Sequence, residues 1–449
     1  MKERTRFAFA MIERSEFFCL ATCACPAGSI CRSTMGAWLS KQQASPAPAS
    51  SPPPCWSGLP PELADIVLRR LPSLADRARF ASACRHWRHV ATQYSPSPPG
   101  LPPALPWLNF HDGSFRSLPD GEPHSFPLGE DTLCGGSSGC GGWVLLRRPW
   151  SSSPSRRHFL QNPLLGTTLW FPGQCREPVD LNSYGSRRPV STSTRFFISK
   201  VIVCSEDLIA ATVNYHITGP CAVVCCRPVM SSWSAGLRDG RRYKDMALYK
   251  GKLHTVTDDG SLFAHEVTED TSNGEGEPRV SRIEQVIKPP GFRLEHVMLD
   301  EPYFTLDCVK TCYLVISRDH KLLMVLRWIV VPCRDCYRPE QGCTPHMTLK
   351  VFEADLEMRR WVEVKSLGDQ VLFVSPYSSK AISSDDCGYL RGNQIYFIDD
   401  SLITVWRLWP SSKPRTSGVY DMSSGTMRSI SLGGLVTNDQ AKGSWFFPC

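Results

Sequence analysis

The chain has 449 residues, 42% of them hydrophobic and 21% charged, with 50 lysines and arginines against 43 acidic residues and a formal charge of +7. That composition is ordinary for a globular chain, long enough for one large domain plus one small one. The basic surplus is mild and gathers into no stripe with exposed aromatics, which argues against a nucleic-acid partner. Twenty cysteines are scattered singly in unlike contexts, such as Cys84 in a helical pattern and Cys204 and Cys225 in apolar runs. Buried free cysteine behaves as a small hydrophobe, so a reduced protein of the cytoplasm and/or nucleus is expected.

Residues 1–55 read as a disordered leader that ends in a Pro/Ser/Ala-rich linker. Such composition cannot bury enough apolar surface to offset its ordering entropy. "FFCLATCACPAG" (17–28) has the outline of a signal peptide, but Glu3, Glu13 and Glu16 interrupt its basic lead and the apolar run is short. Residues 1–35 read equally as an upstream extension of a start at Met35.

Residues 56–93 form a helical module, with "LPPELADIVLRRLPSLADRARFASACRHWRHVA" at 59–91. Pro61 suits a first helical position, where its missing N–H would have no partner. Leu63, Ile66, Val67 and Leu71 then recur at three- and four-residue spacing as one apolar stripe. Leu71-Pro72-Ser73 ends this helix and can cap the next. Leu74, Ala78, Phe80 and Ala81, then Cys84, Trp87 and Val90, continue the apolar face. Three helices in so short a stretch make a small core, and such a module is expected to bury its remaining apolar face against a partner.

Residues 94–106, "YSPSPPGLPPALP", form a stiffer Pro-rich linker. From 107 to 449 short apolar runs alternate with turn signals, and no amphipathic helix is evident. "DMALYKGKLHTVTDDGSLFAHEV" (245–267) predicts three strands joined by tight turns at Lys250-Gly251 and Asp259-Gly260. "LLMVLRWIVV" (322–331) carries Arg327 and is too short to span a bilayer, so it reads as buried strand and no membrane partner is expected. "NQIYFIDD" (393–400) and "LITVWRLW" (402–409) read as further strands. Units of 40–50 residues, each strand–turn–strand–turn–strand with an aromatic such as Trp233 or Trp361 near the last strand, suggest a β-propeller of six or seven blades. A pair of β-sandwiches is the alternative. The fold class expected is therefore a small all-α module of three helices followed by a large all-β domain.

The helical module resembles an F-box: a Leu-Pro opening, the Leu63/Val67/Leu71 periodicity, a second Leu-Pro and a closing Cys-x-x-Trp-Arg. The remainder resembles the C-terminal β-propeller-like domain, KIB-type and of poorly known function, of a large plant F-box family. The matching phrases include "DMALYKGKLHTVTDDGSLFAHEV", "YLVISRDHKLLMVLRW", "FEADLEMRRWVEVKSLGDQVLFV", "LRGNQIYFIDD", "GVYDMSSG" and "WFFP". The resemblance implies docking onto an SKP-type adaptor, which attaches F-box proteins to a cullin–RING ubiquitin ligase. It implies an adaptor-facing set of Leu59, Pro60, Leu63, Ile66, Val67 and Leu71, with Cys84, Trp87 and Val90 partly core and partly interface. The β domain would then present an unknown protein target. The chain would itself be non-catalytic, a specificity subunit without a cofactor. A non-degradative scaffold is the alternative.

Three further patterns bear on other chemistries. Cys333-x-x-Cys336 and Cys343-x-x-His346 supply four ligands of the type zinc favours, but only six residues separate the pairs and the stretch reads as an inter-strand loop. "CGGSSGCGGW" (134–143) has no lysine and no following helix, so it is a hairpin loop and not a phosphate cradle. Arg69, Arg70, Arg77, Arg79, Arg85 and Arg88 form the solvated face of amphipathic helices. Candidate target-binding loop residues are Trp150, Arg156, Arg157, Tyr184, Arg187 and Arg188.

Overall fold

A computed structural model describes residues 59–93 and most of 103–448. The longer stretches outside the description are 1–58, 94–102, 127–132, 149–156, 177–191, 215–220, 271–276, 290–306, 332–345, 399–415 and 437–442. The expected leader and the strand expected at 402–409 therefore lie outside the described residues. The chain divides into two compact units between Leu101 and Pro102.

The first unit holds α1 (Pro61–Arg70), α2 (Leu74–Ala83) and α3 (Arg85–Gln93). Pro61 opens α1, and the Pro60 carbonyl accepts the Leu63 and Ala64 N–H groups, each at 3.0 Å. Leu71 is extended (φ −79°, ψ 111°), as the residue before a proline is driven to be, and α1 stops there. Ser73 precedes α2, and its carbonyl accepts the Arg77 N–H at 3.1 Å. Its hydroxyl makes no cap bond, so the capping expected of its side chain is left to the backbone.

The second unit is a six-bladed β-propeller. Blade 1 contains β1 (Trp107–Phe110), β2 (Ser114–Ser117) and β3 (Pro123–Ser125). Blade 2 is β4 (Leu133–Ser137), β5 (Val144–Arg147), β6 (His158–Asn162) and β7 (Thr167–Trp170). A short hairpin, β8 (Cys175–Arg176) and β9 (Thr192–Ser193), extends the edge of blade 3. Blade 3 itself is β10 (Phe197–Ser205), β11 (Leu208–Asn214), β12 (Cys221–Cys226) and β13 (Trp233–Ala235). Blade 4 is β14 (Tyr243–Tyr249), β15 (Lys252–Thr257), β16 (Leu262–Asp270) and β17 (Glu277–Ile287). Blade 5 is β18 (Asp307–Ile316), β19 (Leu322–Val331), β20 (His346–Asp355) and β21 (Arg360–Val364). Blade 6 is β22 (Gln370–Val374), β23 (Lys380–Ser383), β24 (Gln394–Ile398), β25 (Ser417–Asp421) and β26 (Thr426–Arg428). A separate hairpin, β27 (Ser431–Leu432) and β28 (Leu435–Val436), precedes the closing strand β29 (Gly443–Phe446).

The repeat is longer and less regular than turn spacing suggests. Blades open at Leu133, Phe197, Tyr243, Asp307 and Gln370, because connections of unequal length intervene. Blade 4 shows the expected turns, with Lys250 (φ 48°) and Gly251 (φ 74°) in the left-handed region that a type I′ hairpin requires. Residues 103–106, expected in the linker, pack with the β unit instead, and Leu105 is fully buried in its core.

Successive residues of one strand serve different inter-blade cores. In β18, Tyr313 and Val315 pack toward blade 6, while Cys312 and Leu314 pack toward blade 4. In β22, Leu372 and Val374 join the blade 5 side, and Val371 and Phe373 join the blade 1 side. The period-2 alternation of a strand thus covers two apolar faces, which is why these strands read as continuous apolar runs. Arg327 is enclosed in β19, its guanidinium 5.1 Å from the Phe397 ring centroid. Lys200 of β10 pairs with the fully buried Asp245 of β14, whose other oxygen accepts the Leu314 N–H of β18 at 2.7 Å. Burial pushes the Asp245 carboxyl up, and the Lys200 charge and two backbone donors oppose that.

Ring closure is antiparallel pairing of β29 with β1, from Trp107 opposite Phe446 to Phe110 opposite Gly443. Trp445 is fully buried there and donates its indole N–H to the Val374 carbonyl at 3.1 Å. A Cβ at Gly443 would sit 2.3 Å from the Asn109 carbonyl oxygen. Gly443→Ala is therefore expected to part the closing strands and destabilise the propeller by about 1–3 kcal/mol, read from chemical denaturation. His158 supplies a second prediction. Burial, then the Arg147 and Arg157 charges, lower its pKa from 6.5 to about 3. The folded chain keeps it neutral, while the unfolded chain protonates it near pH 6.5. Its contribution is therefore complete above that pH and is lost as pH falls toward 3, at about 1.4 kcal/mol per unit. In His158→Gln, unfolding free energy should fall less steeply between pH 6 and pH 4 than in the unmodified chain.

Candidate functional site

The helical module divides its apolar residues between two surfaces. Ala64, Leu68, Phe80 and Val90 form the core, with Leu59, Leu71, Trp87 and Ala91 half-buried around it. On α1, Leu63 is 48% exposed, Ile66 44% and Val67 39%. At 100° per residue, positions 64 and 68 face inward, so 63, 66 and 67 turn outward together. Of the stripe expected as one face, Leu63, Ile66 and Val67 are in solvent and Leu71 is half-buried, while Leu68, outside that stripe, is the covered leucine. Three large aliphatic side chains adjacent on one helical face form a surface fit to be buried by another polypeptide.

The remaining residues expected at this surface are fixed by local bonds. Leu59 offers its carbonyl to the His86 ring Nε2 at 2.8 Å, which ties the chain entering α1 to α3. Pro60 is exposed beside Leu63. Cys84 precedes α3, and its sulfur accepts the Trp87 N–H at 3.4 Å. Trp87 stacks on Phe80, ring centroids 4.5 Å apart at 20°. Val90, expected partly at the interface, is 1% exposed and belongs to the module's own core. Leu71 is half-buried at the end of α1. Of the residues expected to face an adaptor, Pro60, Leu63, Ile66 and Val67 are thus open to solvent.

The arginines of this unit are largely occupied within it. Arg69 pairs with Asp65 at 3.0 Å, one turn away, and Arg79 with Asp76 at 2.8 Å. Arg77 and Arg88 donate to the Leu71 and Ala81 carbonyls at 2.8 and 3.3 Å. They clamp helix ends, in keeping with the expected polar face.

Cys333, Cys336 and Cys343 lie outside the described residues, and His346 opens β20. Among the described residues no group of three or more His, Cys, Asp or Glu side chains gathers as a metal site. Burial pushes the Cys225 and Cys312 thiols up to about 12, and raises Cys226 as well, so these remain protonated and unreactive. Of the expected target-loop residues, Arg157 is described, and it is 5% exposed at the start of β6 and not on a loop surface. A polar groove of about 440 Å³ lies on blade 6, lined by Arg391, Gln394, Asp421 and Arg428 among others. Burial there would raise the Asp421 carboxyl, but N–H bonds from Ser424 and Ser423 hold it down, and they close the β25–β26 turn. Among the described residues no helix is long and apolar enough to cross a membrane.

Comparison with known proteins follows this division. The KIB1-4 beta-propeller family model matches residues 115–421. The F-box protein SKIP23 of Arabidopsis thaliana is 22% identical over 410 residues, which cover 84% of this chain and 91% of that protein. A second protein of that plant that carries an F-box name, At3g25750, is 22% identical over 368 residues, 76% of this chain and 87% of the relative. Among solved structures, a PL25 ulvan lyase aligns with 57% of this chain and 58% of its own at a TM-score of 0.28 and 9% identity, a likeness too small to bear on fold or function. The match across most of the propeller shows that this chain belongs to the KIB1-4 beta-propeller family.

Proposed function

We propose that this protein is the substrate-recruiting subunit of an SKP–cullin–F-box ubiquitin ligase. Its helical module docks the SKP-type adaptor, and its propeller presents the target to the ligase. The single observation that carries the reading is the outward row of Leu63, Ile66 and Val67 on a module whose own core is already closed by Ala64, Leu68, Phe80 and Val90. Burying such a row in a partner is favourable by roughly 25 cal/mol per Å² of apolar surface, before association costs. The F-box names of two relatives that align over most of this chain support the same assignment. On this reading the chain performs no chemistry, needs no cofactor, and acts where the ligase acts, in the cytoplasm and/or nucleus.

Two substitutions on one helix test the division of labour. Leu63→Ala should leave the module's stability within about 0.5 kcal/mol, since its side chain is already in solvent. It should weaken capture of the adaptor by about 2 kcal/mol. Leu68→Ala, in the core, should cost about 2–5 kcal/mol of stability, and any loss of capture should follow unfolding. Helical circular-dichroism melts alongside adaptor pull-down separate the two effects. Folded unmodified protein that fails to capture the adaptor at physiological salt would refute the proposal. Adaptor capture without ubiquitin transfer to any bound partner would favour a non-degradative scaffold.

A further inference from the structure

Blade 2 differs from its neighbours in charge. Residues 132–174 contain no aspartate or glutamate, yet they carry four arginines and His158. In blades 3 to 5 several surface cations pair with carboxylates, such as Arg227 with Glu269, Lys321 with Glu353 at 2.9 Å and Arg359 with Glu284 at 3.1 Å, while Arg241 and Lys310 lie over the Phe263 and Trp328 rings. Arg176, at the edge of blade 3, is likewise held by Glu277 at 2.8 Å. Arg147 and Arg148 are placed otherwise. Among the described residues, no carboxylate pairs with either; their guanidiniums lie over aromatic rings. Arg147 sits 4.9 Å from the Phe197 centroid, and Arg148 sits 4.8 Å from Trp170 and 5.7 Å from Phe159.

The strand register gathers these groups at one end of the blade. Arg147 is opposite His158, Leu146 opposite Phe159, and Phe159 opposite Trp170. The Arg148 N–H donates to the Arg157 carbonyl at 2.8 Å and extends the ladder one step. Phe159 and Trp170 pack with centroids 4.5 Å apart at a 34° tilt, and Trp170 is 37% exposed. The result is a shelf of two tilted rings with the half-buried Arg148 over it. A guanidinium placed over rings can present its N–H groups to carboxylates in pairs. His158, opposite Arg147, is buried, and an imidazole, neutral or cationic, supplies no negative charge to offset the arginines.

We propose that the β5–β6 end of blade 2 is the docking surface for an acidic peptide segment of the recruited target. Its carboxylates would meet Arg148, and an apolar side chain would lie on Trp170. The inference rests on the substrate-recruiting reading above. A peptide fits better than a nucleic acid, because the cationic surface is one blade end with one exposed ring and not a long basic stripe.

The test uses the full chain purified with its adaptor and a fluorescein-labelled peptide of alternating glutamate and leucine. The same peptide with glutamine for glutamate, and single-stranded oligothymidine, are compared by fluorescence anisotropy. The acidic peptide should bind, and binding should weaken as salt is added. Arg148→Gln should reduce its affinity about tenfold, with Arg148→Lys falling between. Equal binding of the glutamine peptide, affinity insensitive to salt, or unchanged affinity in Arg148→Gln would each overturn the proposal. So would oligothymidine binding more tightly than the acidic peptide. If Arg148→Gln melts early, the salt series on the unmodified chain still decides. Adaptor capture is scored in the same preparations. Retained adaptor with no peptide binding sinks this inference alone, while a chain that never captures adaptor counts against the assembly reading.

Discussion

Each propeller blade is a sheet with two apolar faces, and neither is covered until the neighbour on that side is in place. The pairing of β29 with β1 is what ends this series, because it joins the last segment of the chain to the first blade. Without it, the blade 6 faces of Phe373, Tyr396 and Ile398 would lose Trp445 and Phe447. The closure depends on unusual closeness of backbones at Gly443 and Asn109, and on the Trp445 indole reaching across to blade 6. The Lys200–Asp245 pair does a related job inside the ring, linking β10, β14 and β18 through one buried carboxylate. Such a pair contributes less to net stability than to register, since removing either partner would strand a charge in the interior.

The helical unit follows a different economy. Its core is four residues deep, with one aromatic stack between α2 and α3. A core that small covers one side of α1 and leaves the other, and the uncovered side carries Leu63, Ile66 and Val67. Incomplete burial and the capacity to dock are here the same physical fact. The propeller has the opposite character: its blades cover one another through extended apolar cores, and burial keeps Cys225, Cys226 and Cys312 protonated. Several of its surface cations pair with carboxylates, whereas Arg147 and Arg148 of blade 2 lie over aromatic rings.

Much of this was legible in the residues. The Leu-Pro punctuation placed the three helices, and Lys250-Gly251 and Asp259-Gly260 marked the blade 4 hairpins, because turn chemistry is local and needs no partner. The run around Arg327 read as buried strand, since a strand covered on both faces shows no alternation. What could not be read was which residue of a near-continuous apolar run faces which neighbour. In α1, Leu63, Leu68 and Val67 look alike in sequence, and the position of α3 sends one inward and two outward. Arg157 looked like loop charge until pairing with β5 carried it inside.

The sequence by itself determined the class of the fold, three short helices and then a large all-β domain, because periodicity and turn residues act over a few positions. Tertiary structure alone decided the closing of the strands into six blades, the pairing of β29 with β1 and the partition of α1 into core and open surface. Those features depend on contacts between residues tens to hundreds of positions apart, and no local pattern encodes which residues meet.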